Sequence, residues 1–373
     1  MKRLIWPVAL AIVAVIVFDV RIRRDMVDFG VYRVAASRAL VAEPLYREKD
    51  GHYTFKYLPA FAMAMAPFAG LETRTAKALW FGLTIGLLAA FVRWSVLALP
   101  GRRRSEAVLM IITVILMAKF YGHELTLGQS NILLGTVIVA GLLAVETGRM
   151  RLAGALFGVA VFVKPYAIIL LPWLAFSSGL AAAFVSAGVV VAGLLLPAAV
   201  YGWSGNLDLL VGWYRTVTGS TASTLVGGDS ISLAAMWGKW LGAGTPATIL
   251  AIVSGLVMLA LVVAAWLRRR RVASPEYLEV AMLMVLVPLL SPQGWDYVLL
   301  LSTPAVVCLV DRWSELSPAW RGLVAASLAV MGLTIYDVLG RTLYFRFMAI
   351  SVVSVCAILV VVSLAHVRWR AMA

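Results

Sequence analysis

Apolar residues run along this chain in long unbroken blocks, parted by short stretches rich in arginine, glycine and proline. The blocks are continuous rather than alternating, which predicts helices and not strands. About 20 apolar helical residues cross one hydrocarbon core, and lipid tolerates only backbones that satisfy their own polar groups. The pattern predicts an all-α, polytopic transmembrane helical bundle with about 12 spans. They fall near 4–18, 78–99, 107–120, 132–145, 152–163, 166–176, 180–197, 247–267, 278–290, 297–310, 323–339 and 347–366. The whole chain, 1–373, reads as one multi-pass membrane domain. Residues 21–77 form an outer loop with juxtamembrane helices, and 198–246, rich in Gly, Ser, Thr and Trp, form a second outer segment.

Composition agrees, since 62% of residues are hydrophobic and 13% charged, too few charges to clothe a soluble domain. The net charge of +14 does not imply nucleic acid, because most of the arginines sit in short loops between spans. Arg102 to Arg104, Arg149 with Arg151, Arg268 to Arg271, Arg312 with Arg321, and Arg368 with Arg370 share one side, which the positive-inside rule makes cytoplasmic. Residues 57–71, short and broken by Pro59 and Pro67, lie at the outer surface; a crossing there would invert every later cluster. Lys2 and Arg3 followed by 4–18 imitate a secretory signal, but no small-residue cleavage site follows, so the segment reads as a retained span. Cys308 and Cys356 lie in apolar blocks and the three histidines are scattered, so neither a disulfide framework nor a metal site is expected, and no cofactor.

In this layout the unusual polar residues collect on the outer face: Asp25, Asp28, His123, Glu124, Gln129, Asn131, Lys164, Asp208, Asp229, Gln293 and Asp296. Such groups beside hydrocarbon are costly unless paired or functional. Asp28 opens a run with Tyr32 and Arg33 that suggests a helix lying on the surface. Its carboxylate reads either as an N-cap or as a catalytic base. Lys164 ends a block and precedes Pro165, which disrupts the helix. It either snorkels to headgroups or binds a phosphate. Gln129 and Asn131 open a span and either cap it or hold sugar hydroxyls. Residues 291–297 form a tight hairpin whose Trp295, Asp296 and Tyr297 the turn alone does not explain.

Taken in order, the runs Asp28-Phe29-Gly30-Val31-Tyr32 with Pro44-Leu45-Tyr46, Phe55-Lys56-Tyr57-Leu58-Pro59, Gly128-Gln129-Ser130-Asn131, Val163-Lys164-Pro165 and Ser291-Pro292 with Trp295-Asp296 resemble glycosyltransferase family 87. The resemblance implies a GT-C fold and an inverting transfer from a polyprenyl-phosphate sugar, usually mannose. The acceptor it implies is a lipid-linked or cell-envelope glycan on the outer face of a bacterial plasma membrane. It makes Asp28 the base, Lys164 and Arg33 the donor-phosphate ligands, and Tyr32, Tyr57, Gln129, Asn131, Trp295, Asp296 and Tyr297 substrate-binding residues. Two departures bear on the sugar and acceptor: Tyr297 stands where the family's mannosyltransferases often carry histidine, and Gly227-Gly228-Asp229-Ser230 replaces an Asn-Gln-Ser pattern. The rival readings are a lipid or solute transporter, which should show pseudo-symmetry and mid-membrane charges, and a non-catalytic subunit of polysaccharide assembly.

Overall fold

The computed structural model describes residues 12–370. They are nearly all helical, with 81% in helix and no strands among them. Of the expected first span only 12–18 is described, within a helical run at 12–20; the remainder lies outside the described residues. A helix α1 (Val27–Leu40) then forms where the Asp28 run predicts one, followed by a short α2 (Pro59–Ala64). Six helical residues rise only about 9 Å, well short of a hydrocarbon core of about 30 Å.

Next come α3 (Thr73–Leu97) and α4 (Glu106–Leu127), each with a side-chain cap, from Glu72 and Ser105. The shorter α5 (Asn131–Glu146), α6 (Met150–Val163), α7 (Leu170–Ser178) and α8 (Leu180–Leu195) follow. Residues 198–246 hold two helices, α9 (Ala198–Thr224) and α10 (Leu233–Leu241). The chain continues through α11 (Thr245–Leu267), α12 (Glu276–Leu290), α13 (Thr303–Asp311), α14 (Pro318–Leu333), α15 (Tyr336–Ala349) and α16 (Val352–Arg370).

Among the described residues, α3, α4, α11 and α16 are each long and apolar enough to cross a membrane. The count reaches six if the bent pairs α8–α9 and α14–α15, broken at 87° and 99°, each make one span. The segment 323–339, expected as one continuous span, is broken. The helix stops at Leu333, Ile335 is extended, and α15 turns away from the axis of α14.

Burial separates lipid-facing from central helices. Ile252 and Leu256 on α11 remain 58% and 60% exposed, an apolar face that water would not support. By contrast α12 is buried on all sides from Val280 to Leu289, as a helix apolar all round must be. Its one deep charge, Glu279, is satisfied by the Trp173 indole N–H at 2.8 Å and by Arg368 at 3.4 Å.

The arginine clusters meet at one end of this bundle. The Asp311 carboxylate accepts from the backbone N–H groups of Arg103 and Arg104, both at 2.9 Å. Arg312 donates to the Pro100 carbonyl, and Arg370 to the Glu315 carbonyl. Arg269 pairs with Glu276, one turn before the Glu279 that holds Arg368. Helix α4 starts at this end, where Glu106 pairs with Arg93, and finishes at the other.

Candidate active site

The far end of α4 turns into α5 through Gly128, whose φ of 68° is left-handed. A Cβ there would lie 2.8 Å from Cβ of Phe29, so glycine lets α1 close onto the turn. The Met26 N–H donates to the Thr126 carbonyl at 2.8 Å, tying the start of α1 to the same place. Met26 is the N-cap residue of α1, and Asp28 stands in the first helical turn, where the helix dipole favours a carboxylate. The capping reading of Asp28 is thus replaced: its Oδ2 accepts from Nε2 of Gln129 at 2.8 Å.

Gln129 is the centre of the cluster. Its Oε1 accepts from the hydroxyls of Tyr32 at 2.9 Å and Tyr57 at 3.0 Å, and from the Lys164 ammonium at 3.2 Å. Its Nε2 donates to Asp28 and, at 3.3 Å, to the Tyr297 hydroxyl. Chemistry fixes the amide's orientation, because an ammonium can only donate and a carboxylate can only accept. The Tyr32 and Tyr57 oxygens are also 2.6 Å apart, so their two protons are shared among three oxygens. Lys164 lies 4.7 Å from the centre of the Tyr57 ring and 6.0 Å from that of Tyr166, a cation held over aromatic faces.

A second chain of bonds supports the first. Glu124, fully buried on α4, accepts from the Ile132 N–H at 3.0 Å and from Nδ2 of Asn131 at 2.8 Å. It therefore serves the amino end of α5, the task that sequence reasoning left open for the two amides. Asn131 accepts in turn from the Tyr166 hydroxyl at 2.9 Å, which steadies the residue two places beyond Lys164.

The hairpin 291–297 reaches the cluster through Tyr297, whose ring also packs against His123 with centroids 5.0 Å apart. Gly294 is required in it, since a Cβ would fall 1.9 Å from the Pro288 carbonyl oxygen. Trp295 pairs with Ser230 in an isolated antiparallel bridge, and the Asp296 N–H donates to the Asp229 carbonyl at 3.0 Å.

So the structure brings Asp28, Tyr32, Tyr57, Gln129, Asn131, Lys164 and Tyr297 to one locus. Arg33 is drawn elsewhere: its guanidinium binds the carbonyls of Phe68 and Leu71 and the Thr73 hydroxyl, which straps α1 to the start of α3. This replaces its expected phosphate contact with a structural one. Asp296 is 1% exposed and pairs with Lys119 at 2.8 Å, one residue aside from the Gln129 network. Trp295 contributes its backbone to the bridge. The Asp25 carbonyl accepts from the Lys77 ammonium on α3 at 2.8 Å.

Sequence reasoning assigned no role to Glu124, Tyr166, Lys119 or Lys56. A lysine inside an apolar helix was a legible signal for Lys119. Lys56 flanks Tyr57, and the charges of Asp28 and Lys164 act on it while burial lowers its ammonium below the ordinary lysine value. Among the described residues no group of three or more His, Cys, Asp or Glu side chains converges as a metal site.

A family model described as glycosyltransferase family 87 matches residues 55–292. No curated protein and no solved structure gives a significant match to the chain.

Proposed function

The chain belongs to glycosyltransferase family 87, and from that premise we propose that it is an inverting membrane hexosyltransferase of GT-C type. It moves a sugar, mannose in our reading, from a polyprenyl-phosphate donor to a lipid-linked or cell-envelope glycan on the outer face of a bacterial plasma membrane. The family membership sets aside the transporter and scaffold readings. One observation carries the finer proposal: a single buried amide, Gln129, holds a carboxylate on one side and an ammonium on the other, at the end of the bundle opposite Arg103, Arg312 and Arg370.

Those two groups suit the two ends of the reaction. Asp28 takes the proton of the acceptor hydroxyl as that oxygen bonds to the anomeric carbon. The bond from that carbon to the phosphate oxygen breaks on the opposite face, which inverts the centre. Negative charge then grows on the departing polyprenyl phosphate, where Lys164 stabilises it. Tyr32 and Tyr57, tied to the same amide, hold both groups in register.

Asp28→Asn keeps the size of the side chain and removes the base. It should lower the release of polyprenyl phosphate from a polyprenyl-phosphate mannose donor, assayed with acceptor glycolipid, by about 10²–10⁴-fold. Expression and donor affinity should persist. Near-normal release from the folded variant would refute Asp28 as the base.

A further inference from the structure

Helix α9 leaves the bundle at a fixed corner. Its axis stands 87° from that of α8, and Gly202, at a left-handed φ of 69°, interrupts the helix so that a second helical run begins at Trp203. The buried Asn206 amide donates to the Leu194 carbonyl at 3.1 Å and holds the corner from inside. With α8 upright in the bilayer, 203–220 lies along the bilayer surface. A turn of about 100° per residue sorts this run into three flanks. The docked flank carries buried Leu209, Gly212 against the Tyr46 ring, and Trp213, whose indole N–H donates to the Lys56 carbonyl at 3.1 Å. Trp203, Leu207, Val211 and Tyr214 fall within about 80° of arc on the second flank, each between 46% and 69% exposed. Ser204, Asp208 and Arg215, all exposed, share the third flank, within about 40° of arc. The exposed half of the helix is thus apolar on one side and polar on the other.

We propose that α9 is an interfacial helix whose apolar flank rests on the lipid of the outer leaflet while its polar flank faces water. Such a division of one exposed surface is what a helix lying at the boundary of two solvents requires. The occupant of the apolar flank is lipid because the flank continues the lipid-facing side of α8. There Phe184, Val191 and Leu195 are 43–72% exposed, and Leu196 and Val200 carry the exposed apolar surface around the corner. Trp203 and Tyr214 suit the headgroup level, where amphipathic rings collect. The docked flank passes that level on to the site. Trp213 and the Tyr201 hydroxyl hold the carbonyls of Lys56 and Glu43. Tyr46, on the same segment, donates to the carbonyl of Tyr57 at 2.7 Å, and the Tyr57 hydroxyl is bonded to Gln129. A helix resting at headgroup depth sets this cluster at the depth of a lipid-linked phosphate. The lipid contact stands without the glycosyltransferase reading, and only this last consequence rests on it.

The test uses the full chain in lipid nanodiscs with a nitroxide label on Leu207→Cys, Val211→Cys, Ser204→Cys or Asp208→Cys. All four positions are exposed, so the variants should fold. Native Cys308 and Cys356 are buried, and the wild type carried through the same labelling gives their background. Power-saturation EPR then compares relaxation by oxygen, which concentrates in lipid, with relaxation by a nickel chelate, which stays in water. Oxygen should dominate at Leu207 and Val211, and nickel at Ser204 and Asp208. The logarithm of the accessibility ratio should therefore change sign between the neighbours Leu207 and Asp208. Nickel dominance at all four positions puts α9 in water, and oxygen dominance at all four makes it part of a span. Shielding of Leu207 and Val211 from both reagents means that protein covers them. Each of these three results overturns the proposal. Failure of the glycosyltransferase reading would show separately, as no release of polyprenyl phosphate by the wild type.

Discussion

Replacing Gln129 by methionine probes the organisation of the cluster most directly, because the change preserves length and removes every bond the amide makes. Two of those bonds reach charged partners, Asp28 at 2.8 Å and Lys164 at 3.2 Å. Bonds of that kind are each worth about 1.5–3 kcal/mol. Tyr32 and Tyr57 keep one another at 2.6 Å and lose little, and the 3.3 Å bond to Tyr297 is weak. Lys164 also keeps its place over the Tyr57 ring. The net loss of alignment should then cost about 3 kcal/mol, roughly a hundredfold in kcat/KM. Initial rates of polyprenyl phosphate release, normalised to folded protein by thermal unfolding, measure it. Gln129→Glu should fall as far. It keeps an acceptor for Lys164 but turns a second carboxylate oxygen toward Asp28, and like charges at that distance cannot both ionise. A kcat/KM within threefold of wild type in Gln129→Met would refute the idea that this amide sets the register of base and cation.

Lys164→Met should raise the KM for the polyprenyl-phosphate donor by about tenfold or more, with insertion unchanged, as read by donor titration in nanodiscs. The Arg38–Asp50 clip between the end of α1 and the segment before α2, bonded at 2.5 and 2.8 Å, should give an acid limb of stability. The Arg38 hydrogen bonds hold the Asp50 carboxyl below its ordinary value, so the contribution is present above about pH 4 and declines as pH falls through the depressed folded value. Thermal midpoints between pH 3 and 6 should show that decline, and Asp50→Asn should flatten it; an unchanged slope argues against the clip. Orientation is open to labelling: with native Cys308 and Cys356 buried, a cysteine at the exposed Gly122 should react with an impermeant thiol reagent from outside intact cells, whereas one at Arg103 should not. The opposite pattern would turn the site toward the cytoplasm.

Some of this protein was legible in one dimension. Continuous apolar blocks state that helices meet lipid, because a bilayer rewards hydropathy averaged over about 20 residues, whatever the neighbours. The one-sided arginines were legible too, and Arg103, Arg312 and Arg370 do meet around 311–315. Short motifs named Asp28, Tyr57, Gln129 and Lys164, since glycine and proline beside them mark places where a helix must stop. Average hydropathy, however, says nothing about which way a helix is rotated or where it breaks. Arg33 follows Tyr32 directly, yet the rotation of α1 sends one to the strap at Phe68 and the other to Gln129. Glu124 and Asn131 read alike as polar residues of an outer turn, but the carboxylate serves the α5 amino end because the turn at Gly128 folds it back there. Residues 323–339 carry enough apolar character for one span, and only packing reveals the break that turns α15 toward Asp229. Hydropathy and turn chemistry are local and survive in the sequence. Pairings such as Lys119 with Asp296, 177 positions apart, come from the closing of the bundle, where a buried charge must find whichever partner the tertiary fold brings to it.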